Sequence, residues 1–255
     1  MLKKHDKNSI GLIGHVVANY PDSVTVRKAI ETMVKAGVAL IELQIPFSEP
    51  IADGPLFTRA NHDAIAHGVT IEDSFQLMQE VSEKYDIPFV FMTYGNVIYK
   101  LGYKKFVRKA KEVGAKGIII PDLPVDQTED LFNECQRQKF AWIQVIPPNV
   151  TKKRLQLLAN KSQGFIYAVA RSGVTGDKTK FGKELKQFVK NIRQHSDLPI
   201  AVGFGVANSD DIKQLQSIAD YAIVGSQALR VLQQDGLQGL AQFWKSLSLA
   251  ANISV

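Results

Sequence analysis

The sequence predicts an α/β fold, a single (β/α)8 TIM barrel running from residue 1 to residue 255, and three observations predict it. Eight short apolar runs alternate with helical patterns from one end of the chain to the other. Most of these runs are continuously apolar instead of alternating, as parallel strands covered on both faces require. The length, 255 residues, is that of one such barrel, and no long linker or low-complexity stretch divides it. Two small domains, or an open doubly wound sheet, would fit the same composition. What separates them is where the chemistry falls, because a barrel gathers its site from the C-terminal ends of many different strands.

Strands are expected at residues 10–17, 39–43, 89–93, 117–120, 141–145, 164–169, 200–202 and 221–224. Between them, apolar residues recur at helical spacing over 24–36, where Val26, Ile30, Met33 and Val34 share one face. Similar patterns cover 70–85, 103–113, 126–138, 151–160, 183–195 and 209–216. Asp22 and Asp210 stand where N-caps belong, and Gly37 and Gly114 where helices stop. Residues 236–249 read as an extra amphipathic helix that closes the barrel.

Composition excludes several classes. Hydrophobic residues make up 45% and charged residues 22%, ordinary values for a water-soluble domain. No apolar run approaches the ~18 residues that span a membrane. Residues 1–7 are basic and 10–18 apolar, a faint likeness to a targeting segment, but His15 interrupts the run and the barrel needs it as its first strand. The net charge of +6 comes from lysines spread over several helices without interleaved aromatics, so a nucleic-acid surface is not expected. A mild positive field suits an anionic substrate instead. The single cysteine, Cys135, forms no internal disulfide and fits a reducing cytoplasm.

The chemistry concentrates in three places. Residues 41–55, IELQIPFSEPIADGP, form a long loop after the second strand, stiffened by Pro46, Pro50 and Pro55. Glu42 stands inside the apolar strand itself. A buried carboxyl is costly unless paired, and burial raises its pKa, which suits it to carrying a proton. Asp53 follows in Ala-Asp-Gly-Pro, where a simple turn aspartate is the competing reading. The second place is residues 167–176, YAVARSGVTG, whose Gly173 and Gly176 allow a ligand close to the backbone; residues 177–182 read as a lid or as an ordinary exposed loop. The third is Gly203-Phe204-Gly205 after strand seven with Gly225-Ser226 after strand eight, where barrels commonly hold phosphate on backbone N–H groups and a helix N-terminus. The five histidines lack metal-ligand spacing, His62 and His67 read as surface residues, and no metal site is expected. No P-loop, Gly-x-Ser-x-Gly or cysteine–histidine arrangement stands out.

Together these motifs closely resemble one family, the α subunit of tryptophan synthase. Its hallmark reads roughly E-L-G-I-P-F-S-D-P-x-A-D-G-P, and this chain has IELQIPFSEPIADGP. The resemblance covers nearly the whole chain. It implies that Glu42 and Asp53 are the catalytic carboxylates, that Tyr94 in Met92–Asn96 is a pocket tyrosine, and that Tyr167 and the Gly173–Gly176 lid complete the site. Pro121–Pro124 matches a further Pro-Asp-Leu-Pro stretch. The implied reaction is the retro-aldol cleavage of indole-3-glycerol phosphate to indole and D-glyceraldehyde 3-phosphate, with Glu42 shuttling the proton and Asp53 on the indole N–H. Tyr167 is expected to position Glu42, Thr175 to fix Asp53, and Gly176, Gly205, Gly225 and Ser226 to bind the phosphate. No cofactor is expected on this chain, pyridoxal phosphate belonging to a tryptophan synthase β subunit with which an α2β2 heterotetramer would form.

The chain departs from the family pattern in places. Gln44 stands where glycine is usual, Glu49 replaces an aspartate that resembles a β-subunit contact, and Ala170 replaces a serine. His15 occupies the position of a common aromatic pocket residue, and the family's leading helix is expected to be absent. These changes bear on packing at the indole end and on partner binding. Three other readings stay in play: a stand-alone lyase releasing free indole, a different phosphate-binding barrel such as an epimerase, although nothing resembling its metal ligands appears, and a non-catalytic barrel that binds the phosphate ligand and regulates a partner.

Overall fold

Strands form where β-branched and aromatic residues run together between turn signals. In the computed structural model, which describes residues 1–4, 9–170, 182–203 and 205–252, they are β1 (Gly11–Val17), β2 (Leu40–Gln44), β3 (Phe89–Met92), β4 (Gly117–Ile119), β5 (Ala141–Ile146), β6 (Ile166–Val169), β7 (Ile200–Gly203) and β8 (Tyr221–Val224). Each pairs in parallel with the next, and β8 returns to β1 in a ladder from Gly11↔Tyr221 to Gly14↔Val224. The closed ring removes the open doubly wound alternative and leaves no strand edge exposed.

Alternation runs unseen through the apolar strands. Ile13, Leu40, Val90, Ile119, Ile143, Phe165, Ala201 and Ile223 point inward and fill the barrel. Their neighbours Leu12, Ile41, Phe91, Ile118, Trp142, Ile166, Val202 and Val224 face the helices. Both faces are dry, so polarity cannot mark the period along the chain, and a polar residue on the inward set is conspicuous.

The helices are α1 (Ser23–Lys35), α2 (Pro55–Ala66), α3 (Ile71–Lys84), α4 (Gly95–Leu101), α5 (Tyr103–Glu112), α6 (Glu129–Gln138), α7 (Lys152–Lys161), α8 (Lys183–Arg193), α9 (Ser209–Leu215) and α10 (Ser226–Ala250). Asp22 caps α1 by accepting from the backbone of Val24 and Thr25, as expected. The expectation for Asp210 is corrected: Asn208 is the cap, accepting from the backbone N–H groups of Asp210 and Asp211, while Asp211 returns a bond to Asn208. Both side chains suit a cap, and the one whose backbone is extended takes the position. Gly37 and Gly114 have φ of 76° and 90°, the left-handed stop that glycine adopts without strain. Sequence periodicity missed α2, which begins inside the Asp-Gly-Pro turn, and α4, which is only seven residues long. It also found only the second arm of α10, which breaks at Gly236 (φ 64°, ψ −162°). That arm buries Trp244 and Leu247 and ties back to α1 when the Ser248 hydroxyl donates to the Ala36 carbonyl. Cys135 is buried on α6, where desolvation pushes its thiol up to about 12. Among the described residues, no helix is long and apolar enough to cross a membrane.

Candidate active site

Glu42 is central in β2, and the β1–β2 register sets His15 beside it and Val17 beside Gln44. Glu42, at 1% exposure, and Gln44, at 0%, lie two residues apart and therefore project to the same side, into the barrel mouth. His15 Nδ1 lies 2.8 Å from Glu42 Oε2, and His15 Nε2 lies 2.8 Å from Gln44 Oε1. The other Glu42 oxygen, Oε1, is buried and has no hydrogen-bond partner among the described residues. Burial works against a charged His15, but its hydrogen bond to Glu42 and the charges of Glu42 and Asp53 outweigh that and raise its pKa above the ordinary 6.5.

The loop after β2 brings Asp53 into the same network. Gln44 Nε2 donates to Asp53 Oδ2 at 2.7 Å. Gly54 and Pro55 then start α2, with glycine at the cap and proline in the first turn, where its missing N–H costs nothing. One turn in, buried Asn61 pins the loop: its Oδ1 accepts from the Phe47 N–H at 3.0 Å, and its Nδ2 donates to the Phe57 carbonyl at 2.8 Å. Burial raises the pKa of Asp53, opposed by Gln44, by the charge of His15 and by Tyr94.

Two tyrosines line the same mouth. Tyr94 caps α4 at the end of β3, is fully buried and stacks on Phe47 at 5.3 Å. Burial and the nearby Asp53 raise its pKa far beyond the usual value, so the phenol stays neutral. The next residue, Gly95, donates its N–H to Asp122 at 2.9 Å, which joins the Met92–Asn96 and Pro121–Pro124 motifs physically. Tyr167, on β6, has its pKa raised by burial and by both carboxylates. Its ring lies where a side chain at Gly203 would be: a Cβ there would sit 2.3 Å from the hydroxyl.

Across the mouth, Gly205 follows β7 with φ 99°, and Gly225 caps α10, whose first residue is Ser226. No side chain caps that terminus, so the first-turn N–H groups of α10 are available to donate to an anion. Phe57 packs against Gly225, where a Cβ would stand 3.1 Å from its ring, and Phe57 in turn meets His15 edge-on at 4.6 Å. Thr175, Gly176 and most of the expected lid lie outside the described residues. His62 and His67 are exposed on and after α2, and no group of three histidine, cysteine, aspartate or glutamate side chains among the described residues could hold a metal ion.

The structure therefore gathers Glu42, Asp53, Tyr94 and Tyr167 at the mouth of the barrel, with Gly205, Gly225 and Ser226 at the loops after β7 and β8. Sequence reasoning treated His15 and Gln44 only as altered packing at the substrate end. The structure adds that both are polar members of the carboxylate network. Asn61 was missed altogether. A signal existed: from Phe57, the spacing Phe57, Ala60, Asn61, Ala64 is the buried face of a helix, and a polar residue on it marks an internal anchor.

Comparisons with known proteins identify the family. The family profile described as tryptophan synthase alpha chain matches residues 1–252. The tryptophan synthase alpha chain of Desulforapulum autotrophicum is 41% identical over 246 residues, covering 96% of this chain and 97% of its own. That of Syntrophotalea carbinolica is 43% identical over 241 residues, covering 94% and 95%. A solved Mycobacterium tuberculosis tryptophan synthase superposes with a TM-score of 0.90 at 30% identity, covering 97% of this chain and 95% of that one.

Proposed function

The chain belongs to the tryptophan synthase alpha chain family, and from that premise we propose that it cleaves indole-3-glycerol phosphate to indole and D-glyceraldehyde 3-phosphate, with Glu42 and Asp53 as the working carboxylates. The observation that carries the reading is Glu42, a carboxyl sealed into a barrel strand with one oxygen held by His15 and the other left for a ligand.

The reaction needs a proton delivered to indole C3, a proton removed from the adjacent glycerol hydroxyl, and a negative charge near the ring nitrogen as it becomes electron-poor. As the C–C bond breaks, its electron pair returns to the ring; the C3 proton stays on indole and the hydroxyl becomes the aldehyde. Glu42 serves both transfers in turn, and Asp53 faces the ring N–H, an electrostatic role favoured in a water-poor site. Tyr94 supplies an apolar wall, Tyr167 packs beside the carboxylates, and the phosphate sits on the backbone of Gly205, Gly225 and Ser226 at the α10 N-terminus. Thr175 is assigned to fix Asp53, and Gly176 to the phosphate. Side chains serve both proton transfers, and pyridoxal phosphate chemistry is assigned to a β-subunit partner, which also takes up the indole in an α2β2 assembly.

Indole release by the purified chain tests this, with and without a tryptophan synthase β subunit. Slow release alone, a large increase with the partner, and a loss of about 10²–10⁴-fold in Glu42→Gln are expected. Fast release indifferent to the partner would favour a stand-alone lyase, and ligand binding without release would leave a regulatory barrel.

A further inference from the structure

The polar contacts in the mouth form a chain whose polarity can be read from the backbone outward. The Phe47 N–H can only donate and the Phe57 carbonyl can only accept, so Asn61 has one orientation: Oδ1 toward Phe47 and Nδ2 toward Phe57. The Gln44 amide reaches Asn61 Oδ1 at 3.4 Å and Asp53 Oδ2 at 2.7 Å with the same atom. Both of those are acceptors, so that atom is the NH2 nitrogen. The Gln44 oxygen then faces His15 Nε2 at 2.8 Å, and Nε2 must carry a hydrogen. With that tautomer fixed, the 2.8 Å contact between His15 Nδ1 and Glu42 Oε2 holds together only if a further proton lies in it. Without it, a nitrogen lone pair would face a carboxylate oxygen inside the barrel, where an unmade hydrogen bond is expensive.

We propose that His15 and Gln44 are positioning residues of this site: they bind Glu42 to Asp53 through one shared proton, and the arrangement holds only while that proton is present. The proposal rests on the reaction assigned above, in which both carboxylates act. The imidazole is held by its other neighbours too. Phe57 on α2 packs edge-on at 4.6 Å, and the His15 side chain is 9% exposed. The groups that titrate against it are Glu42 on β2 and Asp53 in the following loop, and both favour its proton. Tyr94 and Tyr167 also face those carboxylates, and with raised pKa values they stay neutral as His15 titrates.

The test is a nitrogen-15 NMR titration of histidine-labelled protein, as wild type, Glu42→Gln and Gln44→Gly, run beside the pH profile of indole release for wild type and His15→Phe. The signals of His62, His67 and His195 report whether each variant is folded. His15 in the wild type is expected to keep its Nε2–H and to titrate above an ordinary histidine. In Glu42→Gln that value is expected to fall by about 1–3 units, the size of effect a paired carboxylate exerts. The kcat profile is expected to lose activity on its basic side at the pH where His15 deprotonates, and His15→Phe to abolish that limb with little change in KM. A His15 that titrates at or below the ordinary value and ignores Glu42→Gln overturns the proposal, as does a basic limb unchanged in His15→Phe. A coupled NMR titration in a wild type that releases no indole at any pH supports the shared proton and overturns the assigned reaction instead.

Discussion

Asn61 is the anchor on which the orientations of Gln44 and His15 depend. Replacing it by leucine removes the acceptor for Phe47 N–H and the donor to Phe57 in one step. A loss of about 1–3 kcal/mol is expected, the cost of leaving a buried polar group without a partner, and urea unfolding measures it. His15 makes stability depend on pH in a defined direction. Its pKa is raised on folding, so near neutrality the native state holds more protons than the unfolded chain and stability falls as pH rises. The contribution is complete below the unfolded value of 6.5 and is lost as pH passes the higher folded one. Asp53, also raised, adds a loss of the same sign at lower pH. Unfolding titrations of wild type and His15→Phe between pH 6 and 9 are expected to differ in slope, the variant being the flatter. Glu42 was conspicuous in the sequence because a charge interrupts an apolar strand. His15 and Gln44 were not read as partners, because 27 residues separate His15 from Glu42 and only the β1–β2 register joins them.

At the scale of elements, two glycines carry different constraints. Gly203 closes β7 with ordinary backbone geometry, and the Tyr167 ring fills the space a side chain would take. Gly203→Ala is expected to displace Tyr167 and lower kcat by up to about 10²-fold, the cost of a misplacement near 1 Å, while the barrel stays folded by circular dichroism. Gly236 has open space around it, but its φ of 64° and ψ of −162° suit glycine alone. Gly236→Ala is therefore expected to cost about 1–3 kcal/mol through the backbone, with indole release at low temperature unchanged. Strands were legible because each is a run of apolar residues between turns. The helix α2 was hidden because Asp-Gly-Pro reads as a turn, and here that turn is the helix start.

For the whole molecule, the net charge of +6 acts at a distance on an anionic substrate. Raising ionic strength toward 1 M shrinks the screening length to about 3 Å, so kcat/KM is expected to fall with added salt while kcat changes little. Steady-state kinetics in sodium chloride check this, and an unchanged kcat/KM would mean that capture depends on the phosphate loops alone.

The sequence by itself determined eight parallel strands alternating with helices, because continuously apolar runs need cover on both faces; that the sheet closes into a ring was decided by the tertiary structure. It also determined where to look, because a charged residue in such a strand is a costly feature that folding alone does not require, and the long loop that follows it is stiffened by three prolines. Only the tertiary structure decided what those residues do to one another. Strands far apart in the chain become neighbours at a register fixed by the closure of the ring, and side-chain direction repeats every second residue. One step of slip between β1 and β2 would turn His15 away from Glu42 and leave the carboxyl unpaired. Hydrogen bonds of fixed polarity then passed the orientation of two backbone groups through Asn61 and Gln44 to the histidine, a chain of constraint that exists only once the barrel has closed.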